Sequence, residues 1–281
     1  PAPLRGDRAR DTGRAAQLIL ALKLVLTPAL IAVATLIGRR FGPSISGWLV
    51  GLPLTSGPVS LFLALEQGTG FAAAAAAGSI GGVAASAVFA IAYAAMARRF
   101  GWPASLGVAS LAFAVAVTAL RAMPLDSGLP LPLLALYAGG VAAAILGIRL
   151  IPPPRALDEA PAPPRWDLPV RMVVATTLVV VITSAAPLLG PQLSGLLTTY
   201  PVYAGVLAVF AHAQRGGEAA AQVVRGLCYG IIAFATFFLA IGALIERAGI
   251  LPAFAVAAIG ALLVQALTLT RVRRGSPSPT A

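Results

Sequence analysis

The sequence predicts an all-α, polytopic membrane protein with about nine transmembrane helices in two inverted-topology repeats. Three observations predict it: the composition, a series of apolar runs of membrane-spanning length, and an internal match between the two halves. Of the 281 residues, 59% are apolar and only 10% are charged, and the mean hydropathy is +0.91. A soluble domain of this size leaves about a quarter of its surface exposed. This composition is too apolar for a soluble globular protein or for a disordered one, so both classes are excluded.

Nine apolar runs have the length that a helix needs to cross a hydrocarbon core of about 30 Å. Helices are expected because lipid offers no partner for free backbone groups. The runs are Ala15–Gly38, Ser44–Leu65, Phe71–Ala97, Pro103–Leu120, Leu131–Ile151, Leu168–Leu189, Leu193–Ala213, Glu218–Ile245 and Pro252–Thr270.

Polar segments divide these runs into units. Residues 1–14 are expected to form a flexible tail, residues 152–167 an extended, solvated, proline-rich linker, and residues 271–281 a second polar tail. Between them lie repeat 1 (15–122, four spans), a linking helix (131–151) and repeat 2 (168–270, four spans).

The net charge of +11 comes from basic residues that cluster between the apolar runs. No basic stripe with interleaved aromatic residues is present, so nucleic acid is not an expected partner, whereas the lipid bilayer is. With the N-terminus on one side, six arginines fall on that side and twelve on the other. The arginine-rich side is therefore predicted to be cytoplasmic, in the plasma (inner) membrane of a bacterium.

The two halves match without a gap at an offset of 148 residues. The match includes many glycine, proline and phenylalanine pairs, which alanine-rich and leucine-rich composition alone would not place in register. Among the identical pairs are Gly42/Gly190, Pro43/Pro191, Ser46/Ser194, Gly47/Gly195, Pro53/Pro201, Phe62/Phe210, Gly68/Gly216, Gly78/Gly226 and Gly82/Gly230. Five predicted crossings separate each matched pair of spans, and an odd number reverses the orientation. The repeats are therefore predicted to be antiparallel, as in many secondary transporters.

The shared motif, G-P-x-x-S-G-x-L-x(3)-P-x(3)-G, predicts a broken helix in the second and seventh spans. Proline removes a helical hydrogen bond, and the serine–glycine pair loosens the preceding turns. Broken helices can bind solutes and ions through freed backbone groups, but small residues also serve close packing. The candidate substrate-binding residues in the motif are Ser46, Gly47, Pro53, Ser194, Gly195 and Pro201. Gly78, Gly82, Gly226 and Gly230, spaced as G-x-x-x-G, are interpreted as packing faces.

Repeat 2 is more polar than repeat 1, which adds candidate site residues. Thr198, Thr199 and Tyr203 replace Val50, Gly51 and Thr55, and His212 replaces Ala64. His212 is interpreted either as a proton-linked switch or as a helix-end residue facing headgroups.

Three cations in the apolar runs have two interpretations each. Arg225 either reaches the membrane interface with Glu218 as its partner or forms an anion-binding or gating site. Lys23 and Arg171 hold equivalent positions, where extension toward the interface is the ordinary interpretation and contact with a solute carboxylate the alternative.

Several chemistries are excluded. All nine carboxylates lie in tails, loops or helix ends, and the chain has one histidine and one cysteine. No metal site, cofactor or intramolecular disulfide is therefore expected. Ser194 and His212 would lie about 27 Å apart on one helix, so a membrane hydrolase is the least favoured hypothesis and the protein is not expected to be an enzyme.

The composition, length and LSGLL…P pattern of residues 193–201 resemble a family of uncharacterised bacterial integral membrane proteins with an inverted repeat. The architecture is also distantly similar to the bile-acid/arsenite-type transporter superfamily, which has ten helices in two inverted five-helix repeats. This chain departs from that pattern because it lacks a clear tenth helix. No substrate or ion site is carried over from the resemblance.

The sequence thus predicts a secondary transporter or exporter of a small solute, with an anion among the candidates, that works by alternating access. The alternative is a non-transporting membrane scaffold or subunit, in which the repeat is only a packing solution. Solute, coupling ion, direction and homo-oligomer formation are left open.

Overall fold

The computed structural model describes residues 5–54, 56–121, 130–153, 163–185 and 199–275. In these ranges the chain is helical, without a strand, which confirms the all-α class. The helices are α1 (Arg5–Phe41), α2 (Pro43–Val50), α3 (Ser56–Gln67), α4 (Thr69–Ala97), α5 (Trp102–Arg121), α6 (Pro130–Leu150), α7 (Asp167–Ala185), α8 (Val202–Ala248) and α9 (Ile250–Gly275).

Six helices in the described ranges are long and apolar enough to cross a membrane: α1, α4, α5, α6, α8 and α9. The chain therefore has the helices of a multi-pass membrane protein. The second predicted span is divided between α2 and α3. Residues 193–198 of the seventh lie outside the described residues, whereas residues 199–213 form a turn and the first part of α8. The count of nine spans stays a prediction.

Glycines join several consecutive helices directly. Gly42, Gly68, Gly216 and Gly249 have φ between 81° and 95°, a backbone region that side chains with a Cβ rarely adopt. Gly216 (φ 81°, ψ 176°) divides α8 into two parts, which we call α8a (202–215) and α8b (217–248). Its sequence equivalent, Gly68, has nearly the same conformation (φ 88°, ψ 172°). An abrupt change of direction thus occurs at the same point of both halves.

The centre of the protein is an antiparallel pair formed by α4 and α8b. At one end, Gly217 packs against the carbonyl oxygen of Ala97. At the other end, a Cβ placed on Gly70 would lie 3.5 Å from Oε1 of Glu246. The interior between them is apolar and includes the fully buried Phe89, Tyr93, Phe238 and Ile241. These two helices form the frame on which the other elements pack.

A second antiparallel pair, α1 and α7, packs outside this frame. Nη2 of Arg39, near the end of α1, lies 2.8 Å from Oδ2 of Asp167 at the start of α7. At the end of α6, Ile151 contacts Arg225 of α8b. We call the end of the molecule at which α1, α4 and α6 finish and α7 begins the arginine-rich end. Arg39, Arg40, Arg98, Arg99, Arg149 and Arg165 lie there.

The described structure differs from the sequence expectations at three polar segments. The N-terminal tail is helical from Arg5, in agreement with its alternating acidic and basic residues at helical spacings. The helix of α9 continues to Gly275, because Val272 is buried against Ile45 and Tyr229. The linker expected to be solvated ends on Asp167, which is fully buried.

Candidate functional site

The second predicted span is interrupted around Pro53. Helix α2 ends at Val50 and α3 begins at Ser56. The amide of Leu54 donates to the carbonyl of Leu52 (2.8 Å), and the amide of Gly57 donates to the carbonyl of Pro53 (2.8 Å). The first of these bonds closes a three-residue turn around the proline.

The seventh predicted span has the same turn around Pro201. The amide of Val202 donates to the carbonyl of Tyr200 (2.8 Å), and the amide of Gly205 donates to the carbonyl of Pro201 (2.8 Å). Pro201 itself has φ −79° and ψ 63°, the conformation of an inverse γ-turn. Each hydrogen bond has its counterpart 148 residues earlier. The two halves therefore share this local backbone geometry as well as their residues.

Side chains from neighbouring helices bind the carbonyl groups near both breaks. The Ser86 hydroxyl on α4 donates to the carbonyl of Thr199 (2.9 Å). In the first half, Nε2 of Gln265 on α9 donates to the carbonyl of Trp48 (2.9 Å). Such partners are what a broken helix requires in an environment without water. They also mean that these two carbonyls already have a hydrogen-bond donor in this conformation.

The two breaks lie at similar levels along the central pair. Thr199 packs against Gly82 of α4, and Gly51 packs against Gly230 of α8b. These two contacts are equivalent in sequence, because Thr199 corresponds to Gly51 and Gly230 to Gly82. At 1.5 Å per residue, Gly82 lies about 22 Å from Ala97 along α4, and Gly230 about 20 Å from Gly217 along α8b. The breaks thus flank the middle of the central pair.

Neutral hydroxyl groups and aromatic rings surround the break at Pro201. The Tyr203 hydroxyl donates to Oγ1 of Thr27 on α1 (3.0 Å). The Tyr200 hydroxyl lies 2.7 Å from the Ser110 hydroxyl on α5. The Tyr200 ring packs edge-on against Phe89 (5.6 Å) and Phe113 (5.2 Å). These contacts would suit hydrogen bonding with a neutral group better than binding of a strong charge.

The serine–glycine pair of the first motif lies in α2, away from the break. The Ser46 hydroxyl donates to the carbonyl of Pro43 in its own helix (2.8 Å). Gly47 packs against the carbonyl oxygen of Val223. Both contacts are those of a packed helix. The counterparts Ser194 and Gly195, together with Thr198, lie outside the described residues.

The glycines interpreted as packing faces divide into contacting and non-contacting positions. A Cβ on Gly226 would overlap the carbonyl oxygen of Ser44, and Gly230 packs on the backbone of Trp48 and Gly51. Gly82 contacts Thr199, whereas a Cβ placed on Gly78 would meet no heavy atom of the described chain within 4 Å. Three of the four therefore serve close packing between the two halves.

His212 lies toward the arginine-rich end, on the α8a surface that faces α4. Its ring packs edge-on against Tyr93, with centroids 6.1 Å apart. The Nδ1 atom of His212 and the hydroxyl of Tyr93 are both buried without a hydrogen-bond partner in the described part of the chain. His212 is therefore separated along α8a from the break at Pro201.

Arg225 contacts backbone rather than a carboxylate. Its Nε donates to the carbonyl of Ile151 (3.1 Å), and its guanidinium lies 5.4 Å from the centre of the Tyr229 ring. The partner that the sequence suggested, Glu218, forms no ion pair with it, although both residues are described. In this conformation Arg225 fastens the end of α6 to α8b.

Sequence reasoning missed a buried ionic cluster at the arginine-rich end. We call it the Asp167 cluster: Arg39, Asp167, Arg171 and Gln214. Nε of Arg171 donates to both carboxylate oxygens of Asp167 (3.0 and 2.9 Å), and Nη2 of Arg39 donates to Oδ2 (2.8 Å). Gln214 donates to Oδ1 and accepts from Arg171 (3.3 Å).

The electrostatics of this cluster favour an ionised carboxylate. Burial by itself raises the pKa of Asp167, but the hydrogen bonds from Arg171, Arg39 and Gln214 outweigh burial, so its pKa lies below the ordinary value. The guanidinium of Arg171 also lies over the Phe210 ring, 4.6 Å from its centre. The i, i+4 spacing of Asp167 and Arg171 was the available sequence signal.

A cavity of about 470 Å³ lies between α1 and α7. It is lined by Pro28, Pro169, Met172, Val173, Thr176 and Thr177. Pro28 and Thr176 are equivalent in the repeat, since they stand 148 residues apart. None of the site residues predicted from sequence lines this cavity.

Comparison with known proteins assigns the chain to no family. No family model matches it, and neither does a curated protein or a solved structure.

Proposed function

We propose that this protein is a secondary transporter or exporter of a small solute that works by alternating access. The observation that carries the proposal is the pair of matched turns at Pro53 and Pro201, which lie at similar levels on either side of the central pair. Broken helices of equivalent position in two halves are typical of carriers, in which they form the solute site. The site proposed here comprises the chain around both breaks, with Thr199 and Tyr203 contributing polar groups.

An inverted two-fold relation between the halves is part of this proposal. Antiparallel packing of α4 with α8b supports it, because these helices are equivalent in sequence and run in opposite directions. The antiparallel pair α1 and α7 supports it in the same way. Such a relation would let the two halves exchange conformations, so that a central solute faces one side of the membrane and then the other.

The distribution of charge limits the solutes that this site would accept. All nine carboxylates of the sequence lie in tails, loops or helix ends. The neighbours of the Pro201 break supply hydroxyl groups and aromatic edges. A neutral, hydrogen-bonding solute is therefore the best match to the break itself. An anion would depend on arginines nearer the arginine-rich end.

The proposal is tested with the purified protein in liposomes loaded with a defined mixture of amino acids, organic acids and sugars. Mass spectrometry of the retained contents, compared with protein-free liposomes, is expected to show selective loss of one chemical class. The double variant Pro53→Ala, Pro201→Ala restores helical hydrogen bonding at both breaks and is expected to slow that loss.

The matched control is Pro252→Ala, which changes an exposed proline in the first turn of α9, where proline costs a helix little. It should leave the rate of solute loss unchanged. If no component of the mixture leaves faster than from empty liposomes, or if the double variant transports at the wild-type rate, the proposed site is wrong.

A non-transporting membrane scaffold is the second candidate. The backbone-to-backbone contacts between the halves favour it, since Gly47 packs on Val223 and Gly226 on Ser44. Contacts this close resist relative movement of the halves. The liposome experiment separates the two candidates, because a scaffold would move no solute.

A further inference from the structure

We infer that the Asp167 cluster is a gate that closes the arginine-rich end between the two halves. The inference rests on the proposed transport function and assigns a role to residues outside the two breaks. Arg39 lies on α1 of the first half, whereas Asp167, Arg171 and Gln214 lie on α7 and α8a, helices of the second half. Their contacts therefore cross the boundary that alternating access would have to open.

The contacts divide the cluster into a fixed part and a separable part. Asp167 and Arg171 lie one turn apart on α7, and Gln214 ties them to α8a. These three residues would move together with the second half. Arg39 reaches them from α1 through one hydrogen bond to Oδ2 of Asp167. Separation of α1 from α7 at this end would break this hydrogen bond and leave the remaining contacts of the cluster intact.

Burial and charge make this separation feasible. The Asp167 side chain is 0% exposed and that of Arg171 is 8% exposed, whereas that of Arg39 is 37% exposed. When Arg39 leaves, its charge is already at the surface and returns to water. Asp167 keeps Arg171 as a neutralising partner, so the movement strands no buried charge, which would otherwise be strongly unfavourable. The cluster can thus open and close without losing its internal ion pair.

The gate is tested by the accessibility of a cysteine behind it. Ala175 is fully buried and lies two turns beyond Asp167 on the same side of α7. Ala175→Cys, in a chain with Cys228→Ala, is labelled with a maleimide in liposomes. Removal of one hydrogen bond to a charged group by Arg39→Gln is expected to raise the labelling rate about tenfold. Arg39→Lys, which retains the charge, should stay closer to the parent rate.

Arg40→Gln is the matched control, because it removes an exposed neighbouring arginine that forms no ion pair with a described residue. Its labelling rate should equal that of the parent. If Arg39→Gln labels no faster than the parent, or if Arg40→Gln raises the rate equally, the gate is wrong. Circular dichroism and thermal unfolding of each variant verify that it is folded.

A second experiment leaves the cluster unchanged. Cysteines are introduced at the exposed positions Arg40 and Trp166, which are next in sequence to Arg39 and Asp167. In the same Cys228→Ala chain they are joined by a bifunctional maleimide, which would hold α1 to α7. In liposomes loaded with the solute mixture, cross-linking is expected to stop solute loss. Continued loss at the rate of the uncross-linked protein would overturn the gate but not the transport proposal. Absence of any solute loss before cross-linking would instead overturn the transport proposal, while the labelling experiment would still decide whether the cluster closes this end.

Discussion

Equivalent residues of the two halves have different contacts, and Gly226 and Gly78 show this difference most clearly. Gly226→Ala would place a methyl group on the carbonyl oxygen of Ser44, whereas the methyl group of Gly78→Ala would meet no heavy atom of the described residues within 4 Å. Overpacking of this kind costs about 1–3 kcal/mol, while alanine in an open helical position stabilises by up to about 1 kcal/mol. We expect Gly226→Ala to lower the midpoint of thermal unfolding in detergent.

Gly78→Ala is the control and should leave that midpoint unchanged or raise it. Equal effects of the two variants would contradict the close contact between α2 and α8b.

The Asp167 cluster gives the protein a defined response to acid. The ordinary pKa of the carboxyl is 3.8, and its pKa in the folded protein is lower. The ionised cluster therefore contributes its full stability above about pH 4 and loses it as the pH falls through the lowered pKa.

We expect the difference in unfolding free energy between the wild type and Asp167→Asn to shrink as the pH falls from 6 to 3. Chemical denaturation of the reconstituted protein at each pH provides the measurement. A difference that stays constant over this range would show that folding does not lower the pKa of Asp167.

At the scale of residues, the sequence predicted the roles that depend on nearby positions in the chain. It did not predict the contacts between residues far apart in sequence. The packing role of Gly226 and Gly230 follows from their spacing and is confirmed by their contacts with α2. Asp167 belongs to a proline-rich polar segment, which predicts exposure. In the fold it is buried and accepts a hydrogen bond from Arg39, which is 128 residues away in sequence, and no local pattern specifies that contact.

At the scale of elements, the glycines with positive φ set the angles between consecutive helices. Gly216 adopts φ 81° and ψ 176° between α8a and α8b, a conformation that costs other residues about 1–3 kcal/mol. Gly216→Ala is therefore expected to destabilise the protein by that amount in chemical denaturation. Gly107→Ala, at an exposed position inside α5 with open space around it, is the control. Equal stability of the two variants would show that the turn tolerates a side chain.

The turns at the two prolines were the element that sequence predicted best. Proline and the residues around it weaken a helix wherever it packs, so turns at Pro53 and Pro201 follow from composition and spacing. The positions at which helices end were predicted less accurately from the sequence. Val272 extends α9 because it finds an apolar site between Ile45 and Tyr229, and such a site is a property of the assembled fold.

At the scale of the whole molecule, the hydropathy of the chain predicted a helical multi-pass protein, and the six long apolar helices found in the described ranges agree with it. The internal sequence match also predicted that the two halves are related to each other. The contacts between equivalent residues, such as Gly51 with Gly230 and Thr199 with Gly82, form between the halves rather than within one half. Residue patterns show that two segments are alike, but the pairing of those segments depends on three-dimensional packing.

The central claim is that the two halves insert in opposite orientations, and cysteine accessibility tests it most directly. Gln67, at the end of α3, and Ala213, near the end of α8a, are exposed, and each follows the break of its own half. A cysteine is introduced at one of these positions at a time, and intact cells are treated with a membrane-impermeant maleimide. The parent protein, in which native Cys228 is fully buried, is the unlabelled control. The account predicts that Gln67→Cys reacts in intact cells and Ala213→Cys only after permeabilisation, since it places the arginine-rich end on the cytoplasmic side. Reaction of both from the same side would contradict it.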